Sequence, residues 1–327
     1  MRKVLVTGAT GHVGNVLIKE LKKQGFEVYG LVMPFDRIDY IKDNCKILYG
    51  NVLDLEGLKY LFQDMNFIIH TAGLIDIGSG NKKQLFNVNI NGTLNVMKAA
   101  LYNNVKRVIY TSSVHAIPTL KKNKEMKEIE FYDPKKVSGN YAKSKAIATQ
   151  RALDFARTYN LDLVIAVLGG VIGADDYKGS YMGEVIKSYL NGKLPVYIKG
   201  GYNYVDVKDV AQGIILALEK GISYESYLLS GYYITIKEYL DIVAKYTNKK
   251  PLKRAINYYF ILLMSKFAEL YYIVNRKKML LTTYSVKVLR SNANFSNQKA
   301  KETLGWRLRP IKDTIHDLVD FIQLKNK

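Results

Sequence analysis

The 327 residues exceed one average domain, and 48% hydrophobic against 24% charged residues leave ample material for a buried core. The formal net charge of +20 comes without any helix-turn-helix, zinc-finger or RNA-binding signature, so no nucleic acid partner is expected. A lysine-rich surface, or attraction to anionic small molecules or an acidic membrane, accounts for it instead. The single cysteine, Cys45, excludes an internal disulfide, and four dispersed histidines without a ligand cluster argue against a metal site.

In chain order, short apolar runs predict strands at Lys3–Thr7, Glu27–Val32, Lys46–Tyr49, Phe67–Thr71, Arg107–Thr111 and Leu161–Leu168. Amphipathic stretches at 12–24, 56–64, 83–104 and 139–159 predict the helices between them. Continuous Val/Ile-rich strands alternating with helices make an α/β fold. Its parallel sheet is buried on both faces and doubly wound by right-handed crossovers, the Rossmann arrangement. After Gly169 the sequence becomes glycine-punctuated and tyrosine-rich, which predicts a smaller C-terminal substrate-binding cap. A strand and helix near 203–219 are expected to return to the sheet. The expected division is a Rossmann unit of residues 1–168 and 202–222, with a cap of 169–201 and 223–327. Charge-rich Lys121–Glu130 is expected to form a mobile rim. The chain opens straight into a strand, and its longest apolar tract, Ile256 to Val274, is broken by Lys266 and Glu269; a cytoplasmic protein without a membrane span is expected.

Val4 to Gly14 reads as strand, glycine turn and helix start. Gly8 permits the turn, Gly11 lets backbone N–H groups approach a pyrophosphate, and Gly14 lets helix and strand pack closely. Thr10, His12 and Val13 complete the turn, and dinucleotide binding follows. A carboxylate closing the second strand would favour NAD, and a cation there NADP. Val32 and Met33 can do neither. Asp36 could reach a ribose diol and Arg37 a 2′-phosphate, which leaves NADP or NAD open with a slight lean towards NADP.

Tyr141 and Lys145 stand one helical turn apart, on one helix face. There an ammonium can lower the pKa of a phenol towards neutral, the requirement for a tyrosine acid/base. The Thr111-Ser112-Ser113 run ending a strand adds hydroxyls, of which strand alternation points only one into a site.

Taken with His70-Thr71-Ala72-Gly73, Asn89-Ile90-Asn91-Gly92-Thr93 and Gly305-Trp306-Arg307-Leu308-Arg309-Pro310, these motifs resemble the extended short-chain dehydrogenase/reductase superfamily over essentially the whole length. Val171-Ile172-Gly173 and Tyr204–Val210 look more like its dihydroflavonol reductase and 3β-hydroxysteroid dehydrogenase branch than its sugar epimerases. The resemblance implies Tyr141 as general acid/base and Lys145 holding the nicotinamide ribose. It further implies Ser113 on the reacting oxygen and Asn89 steadying the neighbouring helix. Thr71, Ala72 and Gly73 would border the cofactor, and Asn51 with Val52 would meet the adenine, although the family usually carries aspartate at the position of Asn51. The proline common after the sixth strand is replaced by Val167-Leu168-Gly169-Gly170.

The expected activity is therefore hydride transfer between NAD(P) and a carbonyl or secondary alcohol of a medium-sized, partly apolar substrate: a ketone, an aldehyde, or a flavonoid- or steroid-like molecule. The apolar stretches 256–264 and 270–274 fit a substrate cap, a core helix, or a membrane-surface helix beside Arg276-Lys277-Lys278. The alternatives are a nucleotide-sugar 4-epimerase and, from another class, a non-catalytic NAD(P)-binding sensor or scaffold. A homodimer is an expectation of the resemblance.

Overall fold

A computed structural model describes residues 2–75, 81–122, 124–275 and 282–325. Its strands are β1 (Lys3–Thr7), β2 (Glu27–Val32), β3 (Lys46–Tyr49), β4 (Phe67–His70), β5 (Arg107–Ser113), β6 (Leu163–Leu168), β7 (Gly170–Ile172), β8 (Tyr197–Ile198), β9 (Gly201–Asp206), β10 (Ser226–Leu229), β11 (Tyr232–Thr235) and β12 (Ala255–Ile256). The first seven-stranded sheet is parallel throughout, in the order β10-β6-β5-β4-β1-β2-β3. A smaller sheet, β11-β9-β7, and the pair β12-β8 stand apart from it.

The helices are α1 (His12–Lys23), α2 (Leu55–Leu61), α3 (Lys82–Phe86), α4 (Thr93–Tyr102), α5 (Asn140–Tyr159), α6 (Tyr181–Leu190), α7 (Val207–Lys220), α8 (Ile236–Tyr246), α9 (Tyr258–Asn275), α10 (Thr283–Val288), α11 (Gln298–Leu304) and α12 (Ile311–Lys325). Both sheet faces are covered, which is why β1 and β6 are apolar without alternation. Val4 and Val6 pack on the face covered by α1 and α7 with Leu17, Ile18, Ile214 and Trp306. Leu5 packs on the opposite face, where Val96 and Met97 of α4 and Ala148 and Ala152 of α5 lie. Small side chains on α5 let it approach closely, and Asn160 in the left-handed region ends it.

Three expectations are corrected. First, the strand expected to return to the main sheet near 203–219 is β9, which pairs with β7 and β11 instead. The strand that extends the sheet beside β6 is β10, four buried residues within the stretch assigned to the cap. Second, the helix expected over 83–104 runs without interruption from Lys82 to Tyr102 but is not α throughout, a π-helical turn, Asn87–Gly92, joining α3 to α4. Third, Lys121–Glu130 is pinned rather than loose, as far as its described residues show. Buried Met126 bridges to Phe295, Asn292 Nδ2 donates to the Lys121 and Lys124 carbonyls, and Glu128 Oε1 accepts from Leu228 N.

Candidate active site

The chain ends of β1, β4 and β5 open on a cleft of about 730 Å³, placed where the strand order reverses beside β1. Gly8, Thr10, Gly11, His12, Val13, Gly14, Asn51, Val52, Thr71, Ala72 and Gly73 line one part of it, and Ser113, Tyr141 and Lys145 the other. Arg37 and Asn89 are not on its wall.

A dinucleotide fits this cleft on the chain's own geometry. The first turn of α1 has neither a side-chain cap nor an acidic residue, which leaves its N–H groups to an anion. The glycines are required by contact: a Cβ on Gly14 would lie 2.2 Å from the Gly8 carbonyl oxygen, and one on Gly8 would lie 2.7 Å from Ala72 N. Around them the turn is tied to its neighbours. His12 Nε2 donates to the Ala174 carbonyl at 2.9 Å, and Thr71 Oγ1 donates to the Thr7 carbonyl at 2.7 Å. Asn51 Oδ1 accepts from Leu53 N at 2.9 Å, closing the turn that carries Val52.

At the end of β2, Arg37 does not face the cleft. It is exposed and forks onto Asp39 at 2.8 and 3.2 Å, so the cation expected there is occupied elsewhere. Asp36 lies on the wall instead. Its Oδ2 accepts from Thr10 Oγ1 at 2.8 Å, and Lys178 reaches across to donate to Asp36 Oδ1 at 3.2 Å and to Thr10 Oγ1 at 2.9 Å. The Asp36 carboxyl sits below its ordinary range, burial being outweighed by Thr10 and Lys178. Lys178 was not foreseen, because nothing in the glycine-rich stretch around it marks a residue that returns to β2.

Tyr141 and Lys145 leave α5 side by side, both nearly buried. Lys145 Nζ donates to the Thr111 carbonyl at 2.9 Å and lies 4.9 Å from the Tyr110 ring centroid. The Ser113 hydroxyl accepts from His115 N at 3.3 Å and lines the cleft with the Tyr141 phenol, where it favours the phenolate. Ser112 points the other way, its Oγ 2.7 Å from Thr149 Oγ1, so alternation along β5 separates the two serines. Burial raises the Tyr141 pKa, and the opposing pull of Lys145 and Ser113 does not overcome it. The phenol therefore sits above its ordinary value, where the sequence led us to expect it below. Burial also lowers the Lys145 pKa, against the attraction of Tyr141.

Asn89 sits in the π-turn behind this pair, buried. Its side chain accepts from Leu74 N at 2.8 Å and donates to the Leu74 carbonyl at 3.0 Å and to Ser144 Oγ at 2.9 Å. Ser144 Oγ donates to the Tyr141 carbonyl at 2.8 Å. The extra residue of a π-turn thus serves to bring one amide against two segments, a pattern common at functional sites.

Two histidines complete the surroundings. His70 is buried, with Nδ1 2.7 Å from Thr7 Oγ1 and Nε2 3.1 Å from Thr93 Oγ1. Thr93 Oγ1 donates to the Asn89 carbonyl, so it must accept from Nε2–H, which fixes the tautomer. Burial and the Lys145 charge push the His70 pKa down to about 3. His115 lies on the cleft wall between two phenols that sequence reasoning missed, Tyr284 at 2.9 Å and Tyr202 at 3.2 Å. Burial pushes its pKa down to about 4.

The family model described as the NAD dependent epimerase/dehydratase family matches residues 4–230. Among curated proteins, the chain is 29% identical to a putative dihydroflavonol 4-reductase of Synechocystis sp., covering 97% of this chain and 94% of that one. It is 28% identical to cinnamoyl-CoA reductase 1 of Petunia hybrida (98% and 92% covered) and 28% identical to sterol demethylase protein B of Methylococcus capsulatus (77% and 76% covered). Among solved structures, gox2253 superposes with a TM-score of 0.85 at 28% identity, covering 99% of each chain. A UDP-glucose 4-epimerase from Thermotoga maritima shares the fold at a TM-score of 0.77 and 20% identity, with 99% and 100% covered. With a Rossmann sheet, a glycine turn fitted to a dinucleotide and a family match over most of its length, the chain belongs to the NAD dependent epimerase/dehydratase family and is an extended short-chain dehydrogenase/reductase enzyme using a nicotinamide dinucleotide.

Proposed function

We propose that the protein is an NAD(P)-dependent reductase of a carbonyl group on a medium-sized, partly apolar molecule, able to run in reverse on the secondary alcohol. The observation that carries this reading is the convergence of Tyr141, Ser113 and Lys145 on the cleft that begins at the glycine turn. The dinucleotide, when bound, supplies or accepts the hydride. Tyr141 gives its phenolic proton to the carbonyl oxygen, and its raised pKa keeps that proton in place at neutral pH, the state a reduction needs. Lys145, held on the Thr111 carbonyl, stabilises the phenolate left behind. Ser113 donates to the same substrate oxygen, and Asn89 positions α5 through Ser144. His115, Tyr202 and Tyr284 form a hydrogen-bonded wall that limits water beside Tyr141.

The substrate class is read from the cleft wall and the relatives. Leu74, Ile75, Val88 and Val171 give the wall apolar character. The reductases named above support an aromatic or flavonoid-like carbonyl compound, and sterol demethylase protein B a steroid-like one. Asp36 on the cleft wall suits the ribose diol of NAD and Lys178 beside it the 2′-phosphate of NADP, so the wall carries a group for each dinucleotide.

Thermal-shift titrations with NADH and NADPH, followed by cinnamoyl, flavonoid and steroid carbonyl compounds monitored at the nicotinamide absorbance, test the reading. Turnover with one of these classes supports it. Saturable dinucleotide binding without turnover across the whole panel favours a sensor instead. NAD retained through purification, together with interconversion of UDP-sugars, favours an epimerase.

A further inference from the structure

We propose that α9, with the cationic pocket beside its first turn, is a docking surface for an anionic phospholipid membrane. The helix faces the protein with its smaller side chains. Ile261 and Ser265 are buried, Ser265 Oγ lies 3.1 Å from Thr283 Oγ1 of α10, and Thr283 N donates to Glu269 Oε1 at 2.6 Å. Tyr259, Phe260, Leu263, Met264 and Phe267 are turned outward, 42% to 75% exposed. At 3.6 residues per turn these five occupy about 140° of one helix face. A continuous strip of large apolar side chains in water marks a contact surface, and a helix apolar on its outer side belongs at an interface. No described helix is long and apolar enough to cross a membrane, so this one lies along the surface.

Charge decides the occupant. A pocket of about 1060 Å³ adjoins the strip at Tyr258 and Tyr259 and is lined by Lys122, Lys199, Lys253 and Arg290, with no carboxylate on its wall. Among the described residues none of the four cations has an ion-pair partner. The Arg290 guanidinium lies 4.2 Å above the Tyr258 ring, which joins pocket and helix into one surface. A second copy of the chain could cover the apolar strip, but it would bring the same four cations and another +20 to the contact. Anionic headgroups supply the missing negative charge while their acyl chains take the strip. The inference rests on no catalytic role.

The full-length protein is sedimented with phosphatidylcholine vesicles with and without phosphatidylglycerol, at low and high salt. Binding is expected only with phosphatidylglycerol and is weakened by salt. Phe260→Ser with Leu263→Ser and Phe267→Ser should lower the partition coefficient on the order of 100-fold. Lys253→Gln with Arg290→Gln should lower it about 25-fold, roughly fivefold per cation. NADPH thermal shifts confirm that both variants are folded. Leu263→Trp preserves the strip and should give a blue-shifted emission on the same vesicles. Failure of the wild-type protein to sediment, or equal binding to phosphatidylcholine alone, overturns the proposal. So does self-association that the triple variant abolishes in the absence of any vesicle binding.

Discussion

Asn89 Nδ2 donates to Ser144 Oγ at 2.9 Å, and through that hydroxyl a residue off the cleft wall reaches the backbone of Tyr141. Asn89→Ala removes the partner of the Leu74 N–H and carbonyl and leaves the buried Ser144 hydroxyl without its donor, so the tie between the π-turn and α5 is lost. Small misplacements of a reacting group cost on the order of 10²-fold in rate. The expected result is a kcat lower by about that factor with little change in dinucleotide affinity. Steady-state kinetics beside a binding titration separate the two, and an equal loss in both would point to general unfolding.

Lys178 and Asp36 form an ion pair beyond the end of β2. Asp36→Asn removes the carboxylate that repels a 2′-phosphate and should shift preference towards NADPH. Lys178→Gln should shift it towards NADH. Losing one charge-assisted contact is worth about 1.5–3 kcal/mol, so each ratio of kcat/KM values should move roughly 10- to 100-fold. Arg37→Gln should move it far less, because that guanidinium is held on Asp39 away from the cleft.

Gly14→Ala places a methyl where the Gly8 carbonyl already stands. Neither partner is a flexible side chain, so turn and helix must separate. Overpacking of this kind costs about 1–3 kcal/mol. A lower melting temperature and a weakened thermal shift on adding NADPH are expected together; an unchanged shift would place the pyrophosphate elsewhere.

The central strands and the glycine turn were legible because both faces of the main sheet are buried there, leaving continuous apolar runs such as Lys3–Thr7 and Leu163–Leu168. The closeness of Tyr141 and Lys145 was legible from helical spacing alone. Other features depend on packing between distant segments, which no local pattern records. The π-turn carries Asn89 to Leu74, fifteen residues away, and β10 is a four-residue run whose partner β6 lies some sixty residues earlier. Lys178, Tyr202 and Tyr284 reach their partners from segments far along the chain. The phenol pKa was misjudged for the same reason: spacing gave the ammonium beside it, whereas its degree of burial came only from the tertiary fold.

His70, buried, and His115, half-buried on the cleft wall, are held neutral, with pKa values pushed to about 3 and about 4 from an ordinary 6.5. Below pH 6.5 the unfolded chain binds protons that the folded chain refuses, so stability falls as pH falls towards these values. Each histidine contributes up to about 1.4 kcal/mol per pH unit in that window. Asp209, raised to about 6 by burial, works in the opposite sense between its ordinary 3.8 and 6 and reduces the loss. Denaturant unfolding should therefore give a stability that declines from pH 6.5 to pH 4, with a shallower decline in His115→Gln. A flat profile would contradict imidazoles held neutral.

The most direct measurement is single-turnover reduction of a carbonyl substrate by Tyr141→Phe, followed at the nicotinamide absorbance, beside a dinucleotide binding titration. Ring packing against His115 is kept and only the proton donor is lost. The expected result is unchanged dinucleotide affinity with a rate lower by about 10²- to 10⁴-fold. A rate equal to that of the unaltered protein would contradict Tyr141 as the acid.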